Sequence, residues 1–415
     1  MKNTASVNAE KINNCSNTLQ KKRLHIKNPK AITMQTLFGE LNQAPETEFT
    51  TDYNLILEKL QNINPVQYSK TRNFIDGAVT YLSPYISRGV ISIKQVQEAV
   101  LKKRYKPYEI EKLLQELAWR EYYQRVWQAK NDLIWQDLKQ PQPDTLHQQM
   151  ITSIQNAATG ITTIDEQIEN LYAIGYMHNH TRMYVAAIAC NIAKAHWLQP
   201  SKWLYYHLLD GDIASNNCSW QWVAGAFASK KYYCNQENIN KYSHSNQQHT
   251  FLDKSYDAIP ATAVPDVLKI TSSLQLQTVL PLTALPVIDI TKPTLIYNCY
   301  NIDPLWRKDE NANRILLLEP SHFSKYPVSK NVIEFIINLA KNIAGIQVYC
   351  GEVSILQSLY KESKLNASQA FIVKEHPVFT YYPGIKDSRD WIYTEVTGYY
   401  SSFFGFWKKC ERYLK

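Results

Sequence analysis

The 415-residue chain is poor in glycine, with 12 residues, and its seven cysteines stand singly with no CxxC pair. The glycine count excludes collagen-like repeats, and the scattered cysteines offer neither zinc or iron–sulfur spacing nor a disulfide scaffold. No window approaches the roughly 18 uninterrupted apolar residues that a membrane span needs. Met1–Asn8 is followed by polar sequence without an apolar stretch, so no secretory signal and a cytoplasmic location are expected. Proline is limited to 18 residues and 45% of the chain is hydrophobic, which excludes disorder throughout. What the chain has in quantity is aromatic: 10 Trp, 28 Tyr and 12 Phe. Lys and Arg exceed Asp and Glu by 45 to 37, and the net charge of +8 suits an anionic partner such as nucleic acid without requiring one.

The pattern divides the chain into four parts. Residues 1–50 read as a polar arm and lead-in, rich in Lys and Asn. Residues 51–244 are helical. Leu55, Ile56, Leu60 and Ile63 recur at helix spacing up to Pro65, and Tyr108–Lys130 carries Ile110, Leu113, Leu114, Leu117, Ala118 and Tyr122 along one long helix. Tyr172–Lys194 and Lys202–Leu209 also read as helices. Residues 245–292, with prolines at 260, 265, 281 and 286 and no period, read as an extended linker. Residues 293–415 alternate strand candidates (Thr294–Tyr300, Arg314–Leu318, Ile346–Cys350, Ala370–Val373) with helices at Val332–Asn342 and Val353–Tyr360, the signature of a parallel α/β unit.

Three stretches of the helical part carry chemistry. Tyr68–Ser92 places Tyr68 and Arg72 one turn apart, then Thr80 and Ser83 around a Pro84 turn, where hydroxyls and free N–H groups suit a phosphate or diphosphate. Glu116–Arg125 puts Glu116, Trp119, Arg120 and Tyr123 within two turns. Gly175–Gly225 holds Asn179, Arg182 and Met183 on one helix, and Asp210 and Asp212 around Gly211, followed by Asn216, Trp220 and Trp222. Arg182 and Asp210 are the natural ion pair. No histidine or third carboxylate stands at a ligand offset from the two aspartates, so no metal site is expected.

These spaced features (the Tyr68/Arg72 pair, TYLSPYISRGVIS at 80–92, ELAWREYY at 116–123, GYMHNHTRM at 175–183 and LLDGDIASNNCSWQW at 208–222) resemble the flavin-binding helical domain of the DNA photolyase/cryptochrome family over about residues 64–243. The C-terminal α/β segment is similar, more faintly, to that family's α/β domain, which normally precedes the helical domain. The resemblance implies a mostly α-helical FAD-binding domain followed by a smaller parallel-sheet domain. It implies FAD held by Tyr68, Arg72, Thr80, Leu82 and Ser83 at its phosphates and by Arg182, Asp210 and Asp212 along the isoalloxazine. Asn216 would face flavin N5, and Asn179 would lie between flavin and substrate. Glu116, Trp119, Met183 and Trp222 correspond to the wall against which a cyclobutane pyrimidine dimer lies. Trp220 and Trp197 correspond to the inner two members of an electron relay.

The implied activity is light-driven repair of pyrimidine dimers in DNA, the alternative being a non-enzymatic, cryptochrome-like blue-light receptor. An antenna pigment is not identified by the sequence. Departures from the family pattern are Asp144 where the distal relay tryptophan is expected, with Trp135 or a tyrosine as substitutes, IQNAATG at 154–160, and AFASKKYYCNQENINKYS after Gly225, where Lys230 and Lys231 remain to meet DNA. His178 and His180 are read as structural, and Trp306, Trp391 and Trp407 as core. Glu319 and His322 follow a strand end, where α/β sheets place sites.

Overall fold

The computed structural model describes residues 49–413 apart from 362, 364 and 366, so the arm read at 1–50 lies outside the described residues up to residue 48. The helical part runs through α1 (Tyr53–Gln61), α2 (Pro65–Thr71), α3 (Ser83–Ser87), α4 (Ile93–Leu101), α5 (Pro107–Lys130), α6 (Thr152–Gln155), α7 (Thr162–Ile174), α8 (Asn179–Ala187), α9 (Leu198–His207), α10 (Ile213–Ala224) and α11 (Gln236–Ser243). Local chemistry sets the boundaries. Asp52 caps α1 through its carboxylate, Ser92 and Gln95 close a capping box on α4, and Pro107 opens α5. The helix read as Tyr172–Lys194 is broken, because Gly175 ends α7 in a left-handed conformation and His178 caps a new helix. Helix α8 then runs into a π turn at Ile188–Ile192. No helix among the described residues is long and apolar enough to cross a membrane.

A short pair, β1 (Met150–Ile151) with β2 (Thr271–Ser272), precedes the C-terminal sheet. That sheet comprises β3 (Thr294–Tyr297), β4 (Asn313–Leu318), β5 (Ile346–Cys350), β6 (Phe371–Lys374) and β7 (Ile385–Asp387), all parallel, in the order β5-β4-β3-β6-β7. Helices α12 (Pro320–Lys325), α13 (Lys330–Ala340), α14 (Val353–Leu359) and α15 (Ala367–Ala370) lie in its crossovers, and α16 (Phe403–Cys410) follows. The inner strands read as apolar runs because both faces are covered: Leu295–Tyr297 and Ile315–Leu318 are buried.

The helical part does not have one core of its own. Helices α1, α4 and α5, with Tyr205, Leu209, Ile213, Ala214 and Cys218, share a core with the sheet, whereas other residues between Met150 and Leu268 build a second one around Trp197, Trp203 and Trp220. The stretch read as a linker divides accordingly. Leu252, Ile259 and Leu268 are buried in the second core. Beyond Ser272 the chain is extended, but it is pinned by Gln277 O to Tyr206, Thr278 to Val328, Thr283 to Cys350 and Val287 to Gln347.

Two buried polar knots join the parts. Arg88, 1% exposed, donates to the carbonyls of Leu208, Leu209 and Cys299, and the Ser87 hydroxyl donates to Asp210 O at 2.8 Å. Gly89 must be glycine, since at φ +66° a Cβ would lie 2.3 Å from Tyr300 O. On α5, fully buried Glu121 pairs with Arg125 and accepts from Ile392 N and Tyr393 N, and Arg125 donates to Tyr393 O. Trp391, read as core, is instead half-buried between two guanidiniums, Arg125 and Arg389, each 4.3 Å from its ring.

Replacing Arg88 by methionine strips three buried carbonyls of their donor. We expect a loss of about 3 kcal/mol or more in urea unfolding, partly restored by lysine. Acid is the second lever. Burial holds His178 down to about 4 and His322 down to about 3. Below the unfolded value of about 6.5 the unfolded chain therefore takes up protons that the folded one refuses. Their contribution is complete above that pH and falls on acidification by up to about 1.4 kcal/mol per pH unit for each histidine. Burial raises Glu116, Glu319 and Asp303, which oppose the loss closer to the ordinary carboxylate range. Thermal midpoints should drop between pH 7 and pH 5, with a shallower slope in His322→Leu.

Candidate functional site

A cavity of about 610 Å³ opens in the helical part between α2, α5, α8 and α10. Of the residues singled out in the sequence, Tyr68, Arg72, Thr80, Ser83, Glu116, Trp119, Asn179, Arg182, Met183, Asp210, Asp212, Asn216, Trp220 and Trp222 all line it. Leu82 and Trp197 do not. Leu82 is fully buried at the head of α3, and Trp197 is fully buried in the second core. Helix α3 has only five residues, so that corner offers the Thr80 and Ser83 hydroxyls rather than a substantial helix dipole.

The two aspartates are each held by an arginine. Asp210 takes both oxygens to Arg182 Nη2 at 3.1 and 2.9 Å, while Arg182 Nε donates to Met177 O. Asp212 caps α10 by accepting from Ser215 N at 2.7 Å, and it accepts from Arg120 at 3.1 Å and Gln124 at 2.5 Å. The Arg182–Asp210 pair was legible in the sequence. The roles of Arg120 and Gln124 were not, although Glu116, Arg120 and Gln124 recur every four residues on α5 and so share a face. With these oxygens engaged, the pair of carboxylates has little left for a metal.

Glu116 stands 3.7 Å from Arg72 on the cavity wall. Its side chain meets solvent through the opening, yet protein encloses it closely. That enclosure raises its carboxyl above the usual range against the pull of Arg72 and then Lys112. Tyr68, Tyr123 and Tyr176 are raised too, chiefly by burial, and stay neutral donors. Asn216 donates its Nδ2 to Ser201 O at 3.0 Å, which leaves its carbonyl oxygen as the group it has to offer. His178 Nδ1 accepts from His180 N, and His180 Nδ1 lies 2.9 Å from Asn73 O, so both rings serve helix entry and packing.

Trp119 lies at the edge between two faces of α5. Glu116, Arg120 and Tyr123 line the cavity. On the other side Tyr122 and Arg125 meet Phe406. The Trp119 ring is stacked on Phe403 of α16 at 3.7 Å and 10°, and Phe403 is buried without lining the cavity. Phe403 therefore backs the aromatic wall, and nothing in the local sequence announces it. Farther off, Asp144 pairs with Lys231 at 2.8 Å, so of the two lysines read as DNA contacts one is engaged. Trp135 stacks on Tyr326 rather than on Trp197. Glu319 is closed in by Tyr381, Tyr382 and Val353 N, and it lines neither the large cavity nor the smaller one beside Arg120 and Trp391.

The geometry can be set beside known proteins. The FAD-binding domain of DNA photolyase matches residues 113–259. A deoxyribodipyrimidine photo-lyase of Synechococcus sp. is 31% identical over 169 residues, 38% of this chain and 35% of its own. One of Alkalihalophilus pseudofirmus is 27% identical over 222 residues, 47% of this chain and 46% of its own. The crystal structure of a Synechocystis sp. PCC6803 cryptochrome matches 46% of this chain and 43% of that one at 24% identity, with a TM-score of 0.42. The chain thus spans less than half the length of each of these two curated relatives.

Arg182→Met leaves Asp210, 7% exposed, without its cation. We expect about 3–5 kcal/mol lost in denaturant unfolding and a lower FAD content on purification. The double variant Arg182→Met, Asp210→Asn should recover much of the stability.

Proposed function

The chain belongs to the DNA photolyase/cryptochrome family, with FAD as its cofactor, and from that premise we propose that it repairs cyclobutane pyrimidine dimers in DNA under light. The observation that carries the reading is the cavity wall: Glu116, Trp119, Asn179, Met183 and Trp222 surround one opening, together with the polar groups suited to a flavin. At about 610 Å³ the cavity lies within the roughly 300–1,000 Å³ typical of cofactor pockets. Its donors also fit FAD. Thr80, Ser83, Tyr68 and Arg72 offer hydrogen bonds to a diphosphate, with Leu82 fixing the turn from the core side. The Arg182–Asp210 pair and Asp212 present fixed charge along an isoalloxazine. The Asn216 carbonyl is an acceptor for an N–H such as reduced flavin carries at N5.

Bound and reduced, FAD supplies a photoexcited electron that splits the cyclobutane ring. The chain's own part is to take the dimer out of the duplex and hold it. Trp119 and Trp222 offer flat apolar faces, and a flipped dimer lies against them at little cost in water. Phe403 fixes the plane of Trp119, so the stacking face is formed before the lesion arrives. Glu116, its carboxyl raised by enclosure, keeps a proton to a higher pH than an exposed glutamate and can donate it in a hydrogen bond to a base carbonyl. Arg72 beside it places positive charge at the rim for the DNA backbone. Trp220, on the cavity wall, and Trp197, in the core behind, form the path by which an electron reaches oxidised flavin. The alternative, a flavin photoreceptor without repair activity, draws on the segment after Gly225, where Lys231 is engaged by Asp144.

With the flavin chemically reduced, blue light should restore thymine absorbance in a dimer-containing oligonucleotide, with little change in the dark. Glu116→Ala should slow repair by roughly 10²-fold. Trp119→Ala should weaken dimer binding by about 1–3 kcal/mol. A fully reduced, FAD-loaded protein that repairs no dimer would overturn the repair reading for this lesion.

A further inference from the structure

The relay pair Trp220 and Trp197 ends in an unusual place. Trp197 is fully buried at the head of α9, and the ring paired with it is His196 at 5.6 Å. Among the described residues Trp197 has no close ring contact with a tryptophan or tyrosine, Trp220 of the same core included; Trp135 stacks on Tyr326, and residue 144, where a distal relay tryptophan is expected, is an aspartate bound to Lys231. An electron drawn from Trp197 would leave a positive charge in the low dielectric of the second core, which is costly unless it is compensated.

Compensation is built in. The Trp197 indole Nε1–H donates to Asp137 Oδ1 at 2.7 Å, the same oxygen lies 3.2 Å from His196 Nε2, and Asp137 Oδ2 accepts from Gln142 N at 2.8 Å. Gln142 accepts in turn from Trp197 N at 2.8 Å and donates to Ala195 O at 2.8 Å, so indole and carboxylate are clamped to one frame. The side chains of Asp137 and His196 are 21% and 19% exposed, and the pair bridges a buried ring to the solvent.

We propose that Asp137 is the proton acceptor of the relay and terminates it at Trp197. This deepens the proposed function and rests on its electron path. Photoexcited oxidised FAD is the oxidant. With FAD bound, Trp220 would give it one electron and Trp197 would refill Trp220. The oxidised indole is a far stronger acid than its parent. Its Nε1–H bond breaks, the bonding pair stays on nitrogen, and the proton forms an O–H bond on Asp137 Oδ1. The cation and carboxylate become a neutral radical and a neutral acid, and the separated charge is trapped because the electron cannot return until the proton does. His196, whose Nδ1 accepts from Leu198 N, presents its Nε2 to the same oxygen and holds the carboxylate in place for the transfer. A hydrogen bond that only anchored α9 would need no carboxylate, because an amide oxygen accepts as well.

The test uses the full chain with oxidised FAD and a light flash, reading the tryptophanyl radical, whose cationic and neutral forms absorb differently. The wild type should convert to the neutral radical, more slowly in D2O. Asp137→Asn keeps an oxygen acceptor but should hold the radical as the cation and cut lasting photoreduction of FAD about tenfold. The Trp197 indole N–H resonance, assigned with Trp197→Phe, should stay downfield in Asp137→Asn, marking a retained hydrogen bond. A neutral radical formed in Asp137→Asn at the wild-type rate and yield overturns the proposal, as does a wild-type conversion insensitive to D2O, a readout that holds even if the variant folds poorly. Photoreduction unchanged by Trp197→Phe would instead overturn the electron path beneath it.

Discussion

One guanidinium, that of Arg88, decides where three segments meet. Its nitrogens reach the carbonyls of Leu208 and Leu209, just before the site aspartates, and of Cys299, just past the end of β3. No carboxylate neutralises it among the described residues; oriented carbonyl dipoles do so instead, together with the Tyr300 ring 5.9 Å away. The arrangement works because Gly89 lets the backbone touch Tyr300 O and because Ser87 holds Asp210 O. The loop that presents Asp210 and Asp212 to the cavity is therefore positioned partly from the α/β side, and the sheet helps to build the cavity as well as standing beside it.

Helix α5 carries the second constraint. From Glu121 to Trp127 every one of its residues is buried. Leu113 and Leu117 sit beside the cavity with Glu116, Arg120 and Tyr123, while Glu121 and Arg125 are buried against the segment at Ile392–Tyr393. The buried ion pair carries little net stability of its own, but it directs the chain after β7 across α5 and delivers α16 to the back of Trp119. A sheet placed after the helical part in sequence thus contributes to the aromatic wall through its last helix.

Charge in the site is arranged in matched sets. Arg182 with Asp210, and Arg120 and Gln124 with Asp212, leave fixed dipoles around the cavity without an unpaired buried ion. Glu116 differs, since its enclosure is stronger than the influence of Arg72 at 3.7 Å, and it is the group whose protonation the cavity tunes. The hydrogen-bonded set of Trp197, Asp137, His196 and Gln142 does not line the cavity.

The sequence by itself determined the helical class of residues 51–244, the parallel α/β unit after Pro293, and many of the polar and aromatic side chains that line the cavity. Helix periodicity and short spaced motifs are local, and Tyr68 with Arg72 or Asn179 with Arg182 are fixed by one turn of helix whatever surrounds them. It misplaced the break at Gly175, where a left-handed residue interrupts an apolar run, and it took Leu252, Ile259 and Leu268 for linker because a burial partner far away in the chain leaves no period. Tertiary structure alone decided that Phe403 backs Trp119, that Gln124 holds Asp212, and that Asp137 meets the Trp197 indole. Each of these contacts joins residues distant in sequence, and only the packing of one element against another brings such groups within reach.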